Sequence, residues 1–210
     1  MHGDMLEREL QPRPNSRFPF EIALFELDKR LVGNGITTAY ASISFIEGWG
    51  SRDPEEGLEI IRNIHRYRDH LLVDLRVHAR FEVTTPRSAP ILQEGVARGE
   101  IHLVSLMDHS PGQGQFRDIE HYVDYYSRWI RGHDEREETI RAKAQELLEA
   151  PKAWHIAQAV AAVARQKGVP LASHDDDTQE KVELMARLGV QISEFPVSLE
   201  AAQAAKRRGL

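Results

Sequence analysis

His2, Asp4, Glu82, His109 and His174 have the types and the spacing to hold a divalent cation. His2 and Asp4 form an i, i+2 pair, and extended backbone points both members of such a pair to one side. Glu82, His109 and His174 each close a run of strand-forming residues, so potential ligands recur at equivalent positions. In parallel α/β folds the C-terminal strand ends gather the loops that meet ligands. The chain has no Cys, and imidazole with carboxylate is the donor palette of a hydrolytic zinc, manganese or iron site. The chemistry such an ion supplies is water with its pKa lowered towards 7. Plainer readings stand beside this one. His2, near a terminus, could be solvated; Glu82 could pair with Arg80; and a single strand-end histidine is often only a hydrogen-bonding residue. His65, His70, His121, His133 and His155 fall on helices or their ends and read as surface residues.

Alternation along residues 78–82 puts His78, Arg80 and Glu82 on one face, where Arg80 could meet an anionic substrate or neutralise Glu82. Arg8, Arg13 and Arg17 follow Asp4 in what reads as a loop, placed for a phosphate-bearing substrate. The polar, glycine-containing stretch 107–116 (MDHSPGQGQF) leads into a helix, so its amides could cradle an oxyanion. In residues 173–178 (SHDDDT), Asp176 or Asp177 could cap the helix that follows.

These residues need elements to position them. The spacing predicts strands over 36–44, 72–83, 101–109, 170–175 and 190–195, with a further one ending at His2–Asp4. Helices fall between them. One opens at Asp53-Pro54, with Asp53 as N-cap and proline at the first helical position, and runs to about His70. Others are expected over 88–98, 116–132, 134–149, 152–167 and 177–187, with a last one capped by Ser198; Pro151, Gly168 and Gly189 act as stops. Crossovers of this length imply parallel strands and an α/β class. With no repeat, low-complexity tract or linker, residues 1–210 read as one unit.

Composition narrows the rest. The 210 residues carry 27 Lys+Arg against 33 Asp+Glu, a net charge of −6, which argues against a nucleic-acid partner needing a basic footprint. At 41% hydrophobic and 29% charged the chain reads as globular rather than disordered. No apolar run approaches the roughly 20 residues of a membrane helix, and the N-terminus lacks a signal peptide's apolar stretch. The expected location is cytoplasmic.

The runs His2-Gly3-Asp4, Pro12-Arg13-Pro14, Gly35-Ile36-Thr37-Thr38, His78-Ala79-Arg80-Phe81-Glu82, 104–113 (VSLMDHSPGQ), 171–176 (LASHDD) and Glu194-Phe195-Pro196 follow one another along the chain. Together they resemble the ribose 1-methylphosphonate 5-triphosphate diphosphatases of the carbon–phosphorus lyase pathway, within the amidohydrolase superfamily. The resemblance implies a TIM-type (β/α) barrel that is incomplete here, with about six of its eight strands, because the chain looks cut at both ends. It implies a divalent metal centre, zinc or else manganese, held by His2, Asp4, Glu82, His109 and His174. It implies hydrolysis of a ribose 5-triphosphate to the 5-phosphate and diphosphate, with Arg13, Arg17 and Arg80 contacting substrate. The family's metal-binding, proton-accepting aspartate would lie beyond Leu210, so no residue here takes the catalytic-base role and the expected activity of this chain alone is weak. The superfamily's scaffold also carries amide hydrolysis and deacetylation. A non-catalytic metal-binding remnant, completed by homo-oligomerisation, is the reading from a different class.

Overall fold

A computed structural model of the chain describes residues 2–3, 5–13, 16–46, 52–129 and 134–210. Its centre is a six-stranded sheet in which every pairing is parallel and the strand order follows the chain. The strands are β1 (His2–Gly3), β2 (Thr38–Phe45), β3 (Asp74–Glu82), β4 (Leu103–Met107), β5 (Leu171–His174) and β6 (Ile192–Glu194). Among the described residues the sheet ends at β1 and β6.

Register decides which side chains share a face. Ser42 pairs with His78, Ser44 with Arg80, Arg80 with Ser105, and His174 with Glu194. Side chains of paired residues in parallel strands point the same way, so one face carries Ser42, Ser44, His78, Arg80, Glu82, Ser105, His174 and Glu194. The other face holds Ile43, Phe45, Val77, Ala79, Phe81, Val104, Leu106 and Leu171, all buried in the main core.

The helices are α1 (Met5–Leu10), α2 (Phe20–Gly33), α3 (Pro54–Tyr67), α4 (Ala89–Ala97), α5 (Ile119–Trp129), α6 (Asp134–Glu149), α7 (Trp154–Gln166), α8 (Gln179–Leu188) and α9 (Leu199–Arg208). Of these, α1, α2, α3, α4, α7 and α8 bring buried residues to that apolar core, α5 and α6 pack on each other in a second cluster, and α9 packs on α8. Leu24, Leu27 and Leu31 of α2, Ile60, Ile61 and Ile64 of α3, and Ala157, Val160, Ala161 and Ala164 of α7 join the same core, each set at helical spacing. A sheet covered by helices on one face leaves the opposite face for polar residues, and this one uses it for imidazole, guanidinium and carboxylate groups.

The expected α/β class with parallel strands holds, and each predicted strand is present, trimmed by one or two residues at one or both ends, with β2 running one residue past its expected end. Residues 5–33 differ more. Arg8, read as a loop residue, sits in the last turn of α1, and α2 was not expected at all. Asp28 on α2 is buried and its carboxylate accepts from the backbone N–H groups of Leu72, at 2.9 and 3.1 Å, and Val73, at 3.0 Å. That tie fixes α2 against the start of β3. Asp53 makes no side-chain cap on α3 and instead meets Arg87. The cap of α8 is Thr178, whose Oγ1 accepts from Lys181 N, rather than Asp176 or Asp177; Ser198 caps α9 as expected. Asp4, Pro14 and His133, with the end of the expected 116–132 helix, lie outside the described residues.

His102, just before β4, braces β3 twice. Its N–H donates to Val77 O at 2.9 Å, and its Nδ1 accepts from Val77 N at 3.2 Å. An acceptor Nδ1 requires the neutral ring, and burial, helped by the Arg68 and Arg76 cations, holds the imidazole below its ordinary value of 6.5. The folded state therefore binds fewer protons than the unfolded one. His102 contributes stability that is present above about pH 6.5 and lost as pH falls through its lower folded value. Asn at 102 keeps a side-chain acceptor but cannot titrate. Urea midpoints from pH 7.5 down to 5 are expected to fall less steeply for His102→Asn than for the parent, and parallel curves would refute the brace.

Candidate functional site

The polar face of the sheet converges at the C-terminal ends of β3, β4 and β5. Glu82 is the last residue of β3, His109 stands two residues past β4, and His174 is the last of β5. Glu82 grips His109 twice: Oε2 accepts from Nδ1 at 2.7 Å and Oε1 from the backbone N–H at 3.2 Å. A carboxylate only accepts, so Nδ1 of His109 carries a proton, and Nε2 is the ring nitrogen turned to the rest of the group.

His174 reaches the same arrangement by a different route. Arg80 Nη2 lies 3.0 Å from His174 Nε2, and because a guanidinium only donates, that nitrogen is the acceptor. Its Nδ1 faces Glu194 Oε2 at 3.5 Å. Burial holds the His174 imidazole below its ordinary value; the Glu194 carboxylate opposes that and the Arg80 cation adds to it. The ring is thus neutral at pH 7.

Asp175 completes the group. Its Oδ2 lies 3.8 Å from His109 Nε2 and 3.6 Å from His174 Nε2. One ligand atom from each of His109, His174 and Asp175 falls within 4.8 Å of the others. The side chains are only 14%, 8% and 9% exposed, and Asp175 Oδ2 is buried without a hydrogen-bond donor. The desolvated Asp175 oxygen thus lies beside two imidazole nitrogens, one of which, His174 Nε2, accepts from Arg80 and would exchange that bond for a cation. A divalent cation is the species that would turn this arrangement from costly to favourable, so the residues present fit a metal ion.

Local structure explains how Asp175 gets there. Its φ is +54°, an uncommon conformation that Asp tolerates better than most residues. The turn carries the carboxylate back over the end of β5 and lets Asp175 N donate to Glu194 O at 3.1 Å. On the other side the 108–116 loop is closed by its own bonds. Ser110 N donates to Asp108 Oδ1, Gly112 N and Gln113 N to Phe116 O, and Gly114 N to Asp177 Oδ2. A Cβ on Gly114, whose φ is +58°, would come within 3.2 Å of Asp175 O. These amides are already satisfied, which corrects the expectation of an oxyanion cradle; the loop's work is to set His109 against Asp175.

A cavity of about 160 Å³ opens beside the two histidines. Its walls present the guanidinium groups of Arg52 and Arg80, the hydroxyls of Ser44, Tyr125 and Tyr126, and the Gln115 amide, with Ile46 the apolar member. Arg80 is 6% exposed, and also bonds Ser44 Oγ at 3.2 Å and Met107 Sδ at 3.1 Å. Glu7 holds one side of Arg52, accepting from Nε at 3.1 Å and Nη2 at 3.0 Å. Burial raises the Tyr126 hydroxyl to about 12, against the pull of Arg52, so it enters the cavity as a protonated donor. Among the described residues the lining offers donors and cations and no carboxylate, which suits an anion.

Of the residues expected from sequence, the structure brings His109 and His174 together and sets Glu82 behind His109 instead of among the facing atoms. Arg80 lies in the site. His2 sits at the register position opposite Tyr40, and Asp4 is outside the described residues. Arg13 and Arg17 are exposed and do not line the cavity: Arg13 O accepts from Ser16 N at 3.2 Å, and Arg17 pairs with Glu56 on α3. Asp175, Arg52, Gln115, Tyr125, Tyr126 and Glu194 were not among the expected site residues. Asp175 had a usable signal, since it directly follows a strand-end histidine; Arg52 follows β2 at the same sheet edge.

No family model matches the chain. Among solved structures, a Schiff-base-forming fructose-1,6-bisphosphate aldolase is 13% identical at a TM-score of 0.36, covering 85% of this chain and 59% of that one. An archaeal fructose 1,6-bisphosphate aldolase gives 12% and 0.36 over the same shares. Neither likeness is close enough to support a reading. Sequence comparison is stronger: the chain is 33% identical over 215 aligned residues to the alpha-D-ribose 1-methylphosphonate 5-triphosphate diphosphatase of Escherichia coli (strain K12). That match takes in 100% of this chain and 56% of the E. coli protein, so the chain spans about half the length of the curated relative it matches. The resemblance carried by the histidine and aspartate runs thus extends from end to end, and this chain is similar in sequence to that diphosphatase throughout.

Proposed function

We propose that this chain forms the metal-holding part of a (β/α)-barrel hydrolase of phosphonate catabolism, which cleaves a ribose 1-methylphosphonate 5-triphosphate to the 5-phosphate and diphosphate. The observation that carries the reading is the set of three potential ligand atoms, on His109, His174 and Asp175, gathered within 4.8 Å of one another beside a cavity walled by Arg52 and Arg80. Similarity to the E. coli diphosphatase supplies the substrate. The consecutive parallel strand order, with polar groups on the uncovered face, is what a barrel interior requires.

His109, His174 and Asp175 would hold the ion, zinc or manganese. Glu82 fixes the His109 ring, and His2 and Asp4 are kept in the ligand set on the strength of the resemblance. When bound, such an ion supplies Lewis-acid polarisation of phosphoryl oxygens and a water of lowered pKa. The chain's own side chains do the rest of the positioning. Arg80 and Arg52 take the negative oxygens of the phosphate chain, and the hydroxyls of Tyr125 and Tyr126 donate to them. Hydrolysis breaks one P–O–P link, adds water across it and leaves diphosphate as the departing anion, whose charge the same arginines neutralise.

The reading is tested by incubating the chain, and a version lengthened at both ends, with the ribose triphosphate and zinc or manganese. Diphosphate should appear with the lengthened version, and turnover of a cyclic amide in its place would give the site to amide hydrolysis. Binding separates the arginines. Inorganic diphosphate, titrated calorimetrically in EDTA, should bind Arg52→Ala roughly tenfold more weakly than the parent, the worth of one charge-assisted hydrogen bond. Arg17→Ala should bind as the parent does. Equal losses at both positions would remove Arg52 from the cavity's work.

A further inference from the structure

The Glu194-Phe195-Pro196 run has no place in the reading above, yet it stands against His174 on two sides. Glu194 pairs in register with His174 across β5 and β6, so both side chains lie on the polar face. Its Oε2 is 3.5 Å from His174 Nδ1, a close approach that falls short of a formed hydrogen bond, and accepts from Ser105 Oγ at 2.9 Å. Ser105 in turn meets His78 Nε2, and Ser42 Oγ lies 3.4 Å from His78 Nδ1. The carboxylate is therefore the end of a buried polar row that crosses the sheet. Phe195 presents its ring to the imidazole, with centroids 5.7 Å apart and planes at 75°.

The backbone at this corner is strained in a way that keeps both contacts. Phe195 has φ +52°, a left-handed conformation that is a genuine outlier for a bulky residue. Asp175, at φ +54°, faces it across the backbone bond from its own N–H to Glu194 O. Val197 N donates to Asp176 O at 2.9 Å and closes the corner. Strain of this kind persists where surrounding structure over-determines it, and here it turns the 62% exposed Phe195 ring towards His174.

We propose that Glu194, backed by Phe195, is a positioning residue that holds His174 with its Nδ1–H against the carboxylate and its Nε2 turned to Asp175 and His109. Glu194 stands behind His174 as Glu82 stands behind His109, at 3.5 Å against 2.7 Å, so each imidazole of the group has a carboxylate on its far side. Such partners fix tautomer and ring angle, and their loss commonly weakens metal affinity 10–100-fold. Only that last consequence rests on His174 being a cation ligand.

The test has two readouts. In the zinc-free chain, nitrogen-15 NMR of the imidazoles should show an exchange-protected Nδ1 proton on His174, lost in Glu194→Leu and retained in Glu194→Gln, whose amide oxygen still accepts. In zinc titrations, Glu194→Leu should bind about 10–100-fold more weakly. The double variant with His174→Ala should bind no more weakly than His174→Ala alone, because Glu194 acts through that ring. An unchanged Nδ1 proton in Glu194→Leu, or additive losses in the cycle, overturns the proposal. Should the Leu variant unfold, loss of the proton in Glu194→Gln overturns it equally. A chain with the expected NMR behaviour that binds no zinc would end the metal reading while leaving the positioning intact.

Discussion

Asparagine in place of Asp175 is expected to stabilise the zinc-free chain by about 1 kcal/mol and to weaken zinc binding more than about 100-fold. The two effects have opposite signs for one reason. Asp175 Oδ2 is buried, lacks a donor, and lies 3.8 and 3.6 Å from Nε2 of His109 and His174. Without a cation this is a desolvated oxygen with no hydrogen bond, which costs stability. Asn is among the residues that best tolerate φ near the +54° seen here, so the exchange leaves the backbone alone. Its neutral amide can donate as well as accept, which the carboxylate oxygen cannot. With zinc present the same change removes an anionic ligand. Urea denaturation in EDTA and zinc calorimetry on both proteins give the two numbers. A variant less stable without zinc, or one that binds zinc as tightly, would show that Asp175 belongs to the fold and not to an ion.

Much of this site was legible because strand alternation is a strict rule. His78, Arg80 and Glu82 share a face by period two, and the register of β3 with β2 and β4 puts them on the polar side. His109 and His174 could be picked out because each closes a short strand-forming run, where parallel folds bring ligand residues together. Asp175 escaped because its carboxylate is placed by a left-handed turn, and no sequence period encodes a positive φ at a non-glycine residue. Glu194 escaped because β6 is three residues long and partly exposed, too short to announce a face. Arg52, Tyr125 and Tyr126 reach the cavity from separate loops and helices, which only tertiary packing brings together. The arginines were misplaced for a related reason. Arg8 follows Leu6 and precedes Leu10, two buried residues four apart that mark a short helix, and with the chain read as loop its side chain was free to be put anywhere. The same omission hid α2, although Leu24, Leu27 and Leu31 carry helical spacing plainly. Resemblance supplied the ligand palette; geometry is what moved Glu82 behind His109 and admitted Asp175.

Removing the Asp108 carboxylate should cost about 3 kcal/mol, the low end for breaking a buried pair by taking away one partner. Asp108 is 2% exposed at its side chain and lies at the root of the loop that carries His109. Its Oδ1 accepts from Ser110 N at 3.1 Å, Ser110 Oγ at 2.6 Å and Lys152 Nζ at 2.9 Å, while Lys152 also meets Ser110 Oγ. Burial alone would raise this carboxyl, but the bonds from Ser110 and Lys152, with the nearby Lys181 cation, hold it below its ordinary range. Asp108→Ala would strand the Lys152 ammonium, which is only 26% exposed, and leave the Ser110 N–H without its acceptor. The penalty thus belongs largely to the groups left behind. Asp108→Ala with Lys152→Met should accordingly lose less than the sum of the single variants, by 1 kcal/mol or more, as contacting charges do. The exposed pair of Arg141 with Glu120 on α6 and α5 offers the contrast: both groups are solvated, and Arg141→Ala should leave the urea midpoint unchanged. If Asp108→Ala proves as mild as Arg141→Ala, the loop is not anchored here, and His109 must be held by Glu82 alone.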